Sequence, residues 1–262
     1  MPKKNSLSGE NIICFAGEDW WYHNPHSNLH IMKEFARSNR VLFVNSIGVK
    51  MPSLRQDKFA GRKIFRKLKS MLRYLRQAQP NLWVLTPIAL PVIGRFEKII
   101  RKLNTVLLIV QLRLIILFLN FKNPIIWVTV PSVKDVVLHL KRTLGSCLVY
   151  YCVDNITFYG GQHQDYIAEQ EREIHSRADV ALFVNHDLAQ KGKERNPNTF
   201  YLSHGVDFEH FAVRNGQQSI PSDLQNIPQP IAGYIGLLRE LDVALISYLA
   251  ERNPDISVVF VG

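Results

Sequence analysis

Seven short apolar runs punctuate the first 203 residues, with helical or turn-like stretches between them. They are "NIICFA" (11–16), "RVLFVN" (40–45), "LWVLT" (82–86), "IIWVTV" (125–130), "CLVYYCV" (147–153), "VALFVN" (180–185) and "TFYLS" (199–203). Each is continuous rather than alternating and rich in β-branched or aromatic residues, which predicts parallel strands covered on both faces. Helical patterns fill most of the gaps. "SVKDVVLHLKRTLG" opens on Ser132 as an N-cap and closes at Gly145, and "DYIAEQEREIHSRA" (165–178) sets Tyr166, Ile167, Gln170 and Ile174 near one face. This alternation predicts a doubly wound α/β domain, a parallel-sheet Rossmann-like unit.

The rhythm pauses at "YLSHGVDFEHF" (201–211), which reads as neither strand nor obvious helix after its first residues. Residues 212–230 are rich in Pro, Gln, Asn and Ser, a linker composition. A new βαβ pattern then starts, with "IAGYIG" (231–236), a helix over 241–254 and "ISVVFVG" (256–262). The expected organisation is a first domain over 1–211, a linker over 212–230 and the beginning of a second Rossmann-like domain over 231–262. A two-stranded parallel unit closes no core by itself, so the chain reads as a fragment or truncation of a longer protein.

Hydrophobic content of 47% and charged content of 21% exclude global disorder. The net charge of +10 favours an anionic partner. Most of that excess sits in residues 55–77, with nine Lys/Arg against one Asp. There Ile64, Phe65, Leu68, Met71, Leu72 and Leu75 form one stripe of a predicted helix, and cations including Lys63, Arg66, Lys67 and Lys69 take the other face. Such a helix suits an anionic membrane surface, and equally a domain helix with a solvated basic face. Nucleic acid is not expected, because no helix-turn-helix, zinc-finger or RNP-like signature accompanies the charge.

The apolar stretch 103–121 approaches the length of a membrane span, but Asn104, Gln111 and Arg113 interrupt it. A central arginine costs roughly 2.5–3.5 kcal/mol on insertion scales, so a buried or interfacial helix is expected. Cys14, Cys147 and Cys152 all lie in apolar runs and read as core thiols of a reducing compartment. The N-terminus carries no apolar segment of signal-peptide length, which points to the cytoplasm.

Ligands in doubly wound folds bind in loops after the carboxyl ends of strands. The loop "AGEDWWYHNPHSNLH" (16–30) carries Gly17, Glu18, Asp19, His23, His26 and His30 beside two tryptophans, and leads into a helix from about Pro25. The histidine spacing matches no metal signature, so no metal site is expected. The loop "VDNITFYGG" (153–161) places Asp154 and Asn155 at a strand end ahead of Gly160–Gly161. A carboxylate there suits a general base acting on a hydroxyl, and equally an ordinary turn. In "YIGLL" (234–238), Gly236 permits approach of backbone N–H groups to a phosphate.

Four stretches, "VYYCVDNITFYGG", residues 171–211, "PQPIAGYIGLL" and "ELDVALISYLAERNPDISVVFVG", resemble bacterial glycosyltransferases of the GT-B fold. The likeness is to the retaining, nucleotide-sugar-using group that includes teichuronic acid and other cell-surface polysaccharide transferases. It is specific over 149–262 and looser over 1–148. The resemblance implies an acceptor-binding N-terminal domain, with Gly-Val-Asp (205–207) as the exit towards a donor domain. It implies Asp154, Glu18 and Asp19 as catalytic candidates, with Gly17, His23, His26 and Asn155 on the acceptor side. Gly236 and Arg239 would approach the donor diphosphate. Partners implied are a nucleoside-diphosphate sugar as co-substrate, a glycan or lipid-linked acceptor and the inner face of the plasma membrane, with no cofactor. The family's donor domain runs on for several more βα units with acidic sugar-binding residues beyond what this chain holds. Two other readings stand beside the enzyme: a non-catalytic acceptor-binding or membrane-associating remnant, and a same-fold sugar-nucleotide epimerase.

Overall fold

The computed structural model describes residues 7–21, 26–46, 74–91, 96–154, 164–212, 220–238 and 241–262. The chain divides into two compact units, Met1–Gly205 and Val206–Gly262. The first unit begins with β1 (Asn11–Phe15), α1 (Ser27–Phe35), β2 (Arg40–Val44), β3 (Leu75–Gln79) and β4 (Leu82–Leu85). It continues with α2 (Glu97–Phe118), β5 (Ile125–Val128), α3 (Lys134–Leu144) and β6 (Leu148–Cys152). It ends with α4 (Gln164–Arg177), β7 (Val180–Phe183), α5 (His186–Gly192) and β8 (Thr199–Tyr201).

All eight strands form one sheet, ordered β3-β4-β2-β1-β5-β6-β7-β8. It is parallel except for β3, which runs antiparallel to β4. Alternate side chains feed two cores. Ile13, Phe15, Leu42, Val44 and Tyr150 pack with α2, α3 and α4 residues such as Leu112, Val137 and Ile174. Ile12, Cys14, Val41, Phe43 and Tyr151 face the other way and pack with Met32 of α1. Continuous apolar runs are the physical consequence of burial on both sides.

The second unit holds α6 (Phe208–Phe211), β9 (Ile231–Ile235), α7 (Val243–Arg252) and β10 (Ser257–Val261). Strands β9 and β10 pair in parallel, with Tyr234 opposite Phe260, and α7 is their crossover. The Asp242 side chain caps α7 by accepting from the Leu245 N–H at 3.0 Å.

Four expectations need correction. Leu75 does not end a basic helix, because Leu75–Gln79 is a strand. Pro80 cannot continue a helix, and Asn81 at φ 60° turns the chain straight back into β4. Lys63, Arg66, Lys67 and Lys69 lie outside the described residues. Ser132 does not cap α3, which is entered through a 3₁₀ turn at Pro131–Val133 with no side-chain cap. Gly145 closes α3 as expected, at φ 64°. Cys147 is exposed rather than in the core, whereas Cys14 and Cys152 are buried. The stretch after Gly205 contains one helical turn, α6, in which Asp207 accepts from the His210 N–H at 3.1 Å.

A buried clamp joins α4 to β8. The Asn196 side chain donates to the carbonyls of His175 and Ala178, each at 2.8 Å, and accepts from the Asn198 N–H at 2.9 Å. The Thr199 hydroxyl donates to the Asn196 carbonyl at 2.6 Å and lies 2.9 Å from Nε2 of His175. Since the hydroxyl proton is committed, Nε2 of His175 carries the hydrogen and donates to it. Burial, and then the charge of Arg195, lowers the His175 pKa to about 4.

Candidate functional site

The order of strands reverses between β1 and β5. From β1 the chain builds through β2 and β4 to one side, and from β5 through β8 to the other. The crevice at the carboxyl ends of two such strands is where open α/β sheets place ligands. Here the Thr129 hydroxyl, just after β5, is within hydrogen-bond reach of the Phe15 and Ala16 carbonyls at 3.2 and 3.1 Å. Gly17 follows at φ 73°, and a Cβ there would collide with Val130. Only glycine satisfies both demands. Gly17→Ala combines left-handed strain with overpacking and is expected to cost roughly 2–4 kcal/mol in urea denaturation. A loss under 1 kcal/mol would show that the β1 and β5 loops tolerate separation.

Glu18 stands next in line. Its backbone carbonyl accepts from the Ser46 N–H at 2.7 Å, and its Oε1 accepts from Nδ2 of Asn28 at 3.2 Å. Asn28 is held in turn by the Trp127 indole N–H at 3.3 Å. The other carboxylate oxygen, Oε2, is buried without a hydrogen-bond partner among the described residues. Burial raises the Glu18 pKa above its ordinary value, opposed in order by Asn28, His26 and His30. A partly desolvated carboxylate with a spare oxygen is chemically suited to take a proton from a hydroxyl. Asp19 is buried beside it, with Oδ1 accepting from the Trp21 N–H at 3.0 Å. Trp20 anchors the loop, its N–H on Oδ1 of Asn45 at 2.8 Å and its ring against Phe43. Asn45 ties this to β4 through the Thr86 hydroxyl at 2.9 Å.

A second set of groups follows β6, β7 and β8. Val153, Asp154, Val184, Asn185, Leu188 and His204 line a cleft of about 570 Å³. Asn185 caps α5 by accepting from the Leu188 N–H at 3.0 Å. His204 lies 2.9 Å from the hydroxyl of Ser27, in the first turn of α1. Ser27 is flanked by His26 and Asn28, so contacts run from Glu18 through Asn28 and Ser27 to His204 and the cleft of Asp154. The structure thus gathers Gly17, Glu18, Asp19, His26 and Asp154 along one edge of one sheet. His23 and Asn155 lie outside the described residues, as does Arg239. Gly236 sits in the second unit at the end of β9, where its own N–H is spent on the Val261 carbonyl at 2.9 Å.

His204, Asn28 and Asn45 are the additions. His204 carries the same signal as the others, a polar residue just past a strand's carboxyl end. Asn45, directly after β2, carries it too, whereas Asn28 inside α1 carries none, since only tertiary packing turns it towards the β1 loop. A larger groove, about 790 Å³, lies between α2 and α3 near Gly145, Ser146 and Asp179. It opens at the amino ends of β6 and β7, away from the carboxyl edge, so its size does not make it the reaction site. Among the described residues no three His, Cys, Asp or Glu side chains gather as a metal site. No described helix is long and apolar enough to cross a membrane.

No family model matches the sequence, and no curated protein matches it at sequence level. Among solved structures the chain is similar to a sucrose-phosphate synthase from Thermosynechococcus elongatus, with a TM-score of 0.57 at 11% identity over 97% of this chain and 71% of that one. Weaker likenesses are to an α,α-trehalose 6-phosphate synthase from Burkholderia multivorans (TM-score 0.39, 12% identity, 72% of this chain and 43% of that one). The N-terminal domain of a Candida albicans trehalose-6-phosphate phosphatase gives 0.40 at 10% identity, over 73% and 44%. The first of these likenesses shows the fold, a Rossmann-like α/β architecture of the GT-B type.

Proposed function

We propose that this chain forms the acceptor-side domain, and the start of the donor domain, of a GT-B glycosyltransferase. It would move a sugar from a nucleoside-diphosphate sugar to a cell-surface glycan or lipid-linked acceptor, with no further cofactor and no metal. The observation that carries this reading is the partly buried Glu18 carboxylate, its Oε2 without a hydrogen-bond partner among the described residues, at the strand-order reversal of a fold shared with a sucrose-phosphate synthase. An acceptor hydroxyl at this edge would form the new bond to the anomeric carbon as the sugar–phosphate bond breaks. Its proton would pass to a carboxylate, Glu18 first and Asp19 or Asp154 as neighbours. The departing diphosphate would be met by the loop at Gly236 and by Arg239. His26, Gly17, His23 and Asn155 belong to the acceptor side in this proposal. The protein would work in the cytoplasm, peripheral to the inner membrane face, with Lys63, Arg66, Lys67 and Lys69 towards anionic lipid.

The test uses the protein as the cell makes it, in thermal unfolding against uridine-, guanosine- and adenosine-diphosphate sugars. One nucleotide class at about a hundred times its Kd should raise Tm by about 5 °C or more. Adding membrane lipid extract should then release the nucleoside diphosphate. A Tm indifferent to every sugar nucleotide would sink the proposal.

A further inference from the structure

Helix α2 covers the core with one face only. Leu108, Leu112, Ile115 and Ile116 are buried in it. The opposite face carries Ile99, Leu103, Val106, Val110, Leu114 and Leu117, at spacings of four, three, four, four and three residues. These side chains are open to solvent, with Val106 59%, Leu114 60% and Leu117 77% exposed. Phe96 and Phe118 extend the apolar band to the two ends of the helix, 54% and 77% exposed. A continuous stripe along 22 residues spans about 33 Å, beyond the scattered apolar residues of an ordinary surface.

Charge decides what covers it. At 100° per residue, Lys98, Lys102 and Arg113 fall along one flank of the stripe, all exposed. No carboxylate among the described residues pairs with them, and Arg113 meets only the His139 ring at 3.5 Å. Glu97, the one acid of the helix, is engaged with Arg101 at 2.9 Å. A second copy of this helix would therefore bring no counter-charge to the flank. An anionic bilayer supplies both needs, acyl chains for the stripe and phosphates for the cations.

We propose that the exposed face of α2 is a membrane-docking surface, lying in the plane of an anionic lipid interface with its apolar stripe among the acyl chains. The inference rests on the peripheral-membrane part of the function above and not on sugar transfer. The experiment is co-sedimentation of the whole protein with phosphatidylglycerol and with phosphatidylcholine vesicles, across a salt series.

The wild type should prefer phosphatidylglycerol and release with salt. Val106→Gln/Leu114→Gln/Leu117→Gln should weaken binding at least about tenfold with Tm unchanged, since these side chains are already in water. Lys98→Gln/Lys102→Gln/Arg113→Gln should weaken it on the order of a hundredfold and flatten the salt dependence. Failure of the wild type to bind, or stripe variants that bind as the wild type does, overturns the proposal. If Gln at Lys63, Arg66, Lys67 and Lys69 abolishes binding while the stripe variants do not, the basic segment alone is the contact. The α2 surface is then rejected and the peripheral reading survives. A concentration-dependent dimer in sedimentation velocity, broken by the stripe variant, would assign the face to a second copy instead.

Discussion

Glu18→Gln is expected to lower sugar transfer at least about a hundredfold, the range for loss of a positioned general base. The fold should survive, and melt no lower than the wild type at neutral pH. Burial raises the Glu18 pKa above 4.5, so the folded state holds that proton more tightly than the unfolded chain does. The stability this gives is complete below pH 4.5 and is lost as pH rises through the elevated folded value. Glutamine never ionises, so the variant's advantage should grow across that window and vanish beneath it. Gln also keeps an acceptor for Asn28. Activity retained within about tenfold would remove Glu18 from the reaction and pass the role to Asp154. The pH profile separates the two. With Glu18 as base the wild-type rate climbs as its carboxyl ionises, and that limb persists in Asp154→Asn.

Asn196→Ala should damage the scaffold as severely as Gly17→Ala, at about 3 kcal/mol in urea denaturation. It removes three hydrogen bonds at once and strands the carbonyls of His175 and Ala178 at the buried end of α4. Asn196→Asp should be no rescue at neutral pH, because its carboxylate would face two carbonyl oxygens. A cost below 1 kcal/mol in Asn196→Ala would mean that water replaces the amide, and the clamp would lose its importance. The same clamp sets an acid limit. His175 is 1% exposed, and its pKa falls from 6.5 to about 4 on folding. The unfolded chain therefore takes up a proton that the folded one refuses, and stability drains as pH falls from 6.5 towards 4. His175→Gln should flatten that acid limb if the ring is its source.

The resemblance to GT-B enzymes and the strand–helix rhythm led to the same architecture that the structure displays, because double burial leaves an unmistakable mark on the central strands β1, β2, β4, β5 and β6. Tyr150 and Tyr151 point to opposite cores from adjacent positions, so both must be apolar, and the run "LVYYC" shows it directly. Strand β3 left no such mark. "LRQAQ" is polar and basic, its one heavy apolar residue aligned with a helical stripe upstream, and only pairing with β4 decides it. Glu18, Asp19 and Asp154 were legible as polar groups at strand ends, since topology makes those ends a common edge.

What the sequence by itself determined is the sheet of parallel strands, the helices between them and the polar groups that stand at the strand ends. Those follow from periodicity and turn chemistry, which act within a few residues. Only the tertiary structure decided that Oε2 of Glu18 lies buried without a partner among the described residues, that His204 reaches Ser27 across 177 positions, and which face of α2 meets solvent. Such facts depend on which distant segments come to lie against each other. An apolar helix like α2 is amphipathic only relative to the core that covers one side of it.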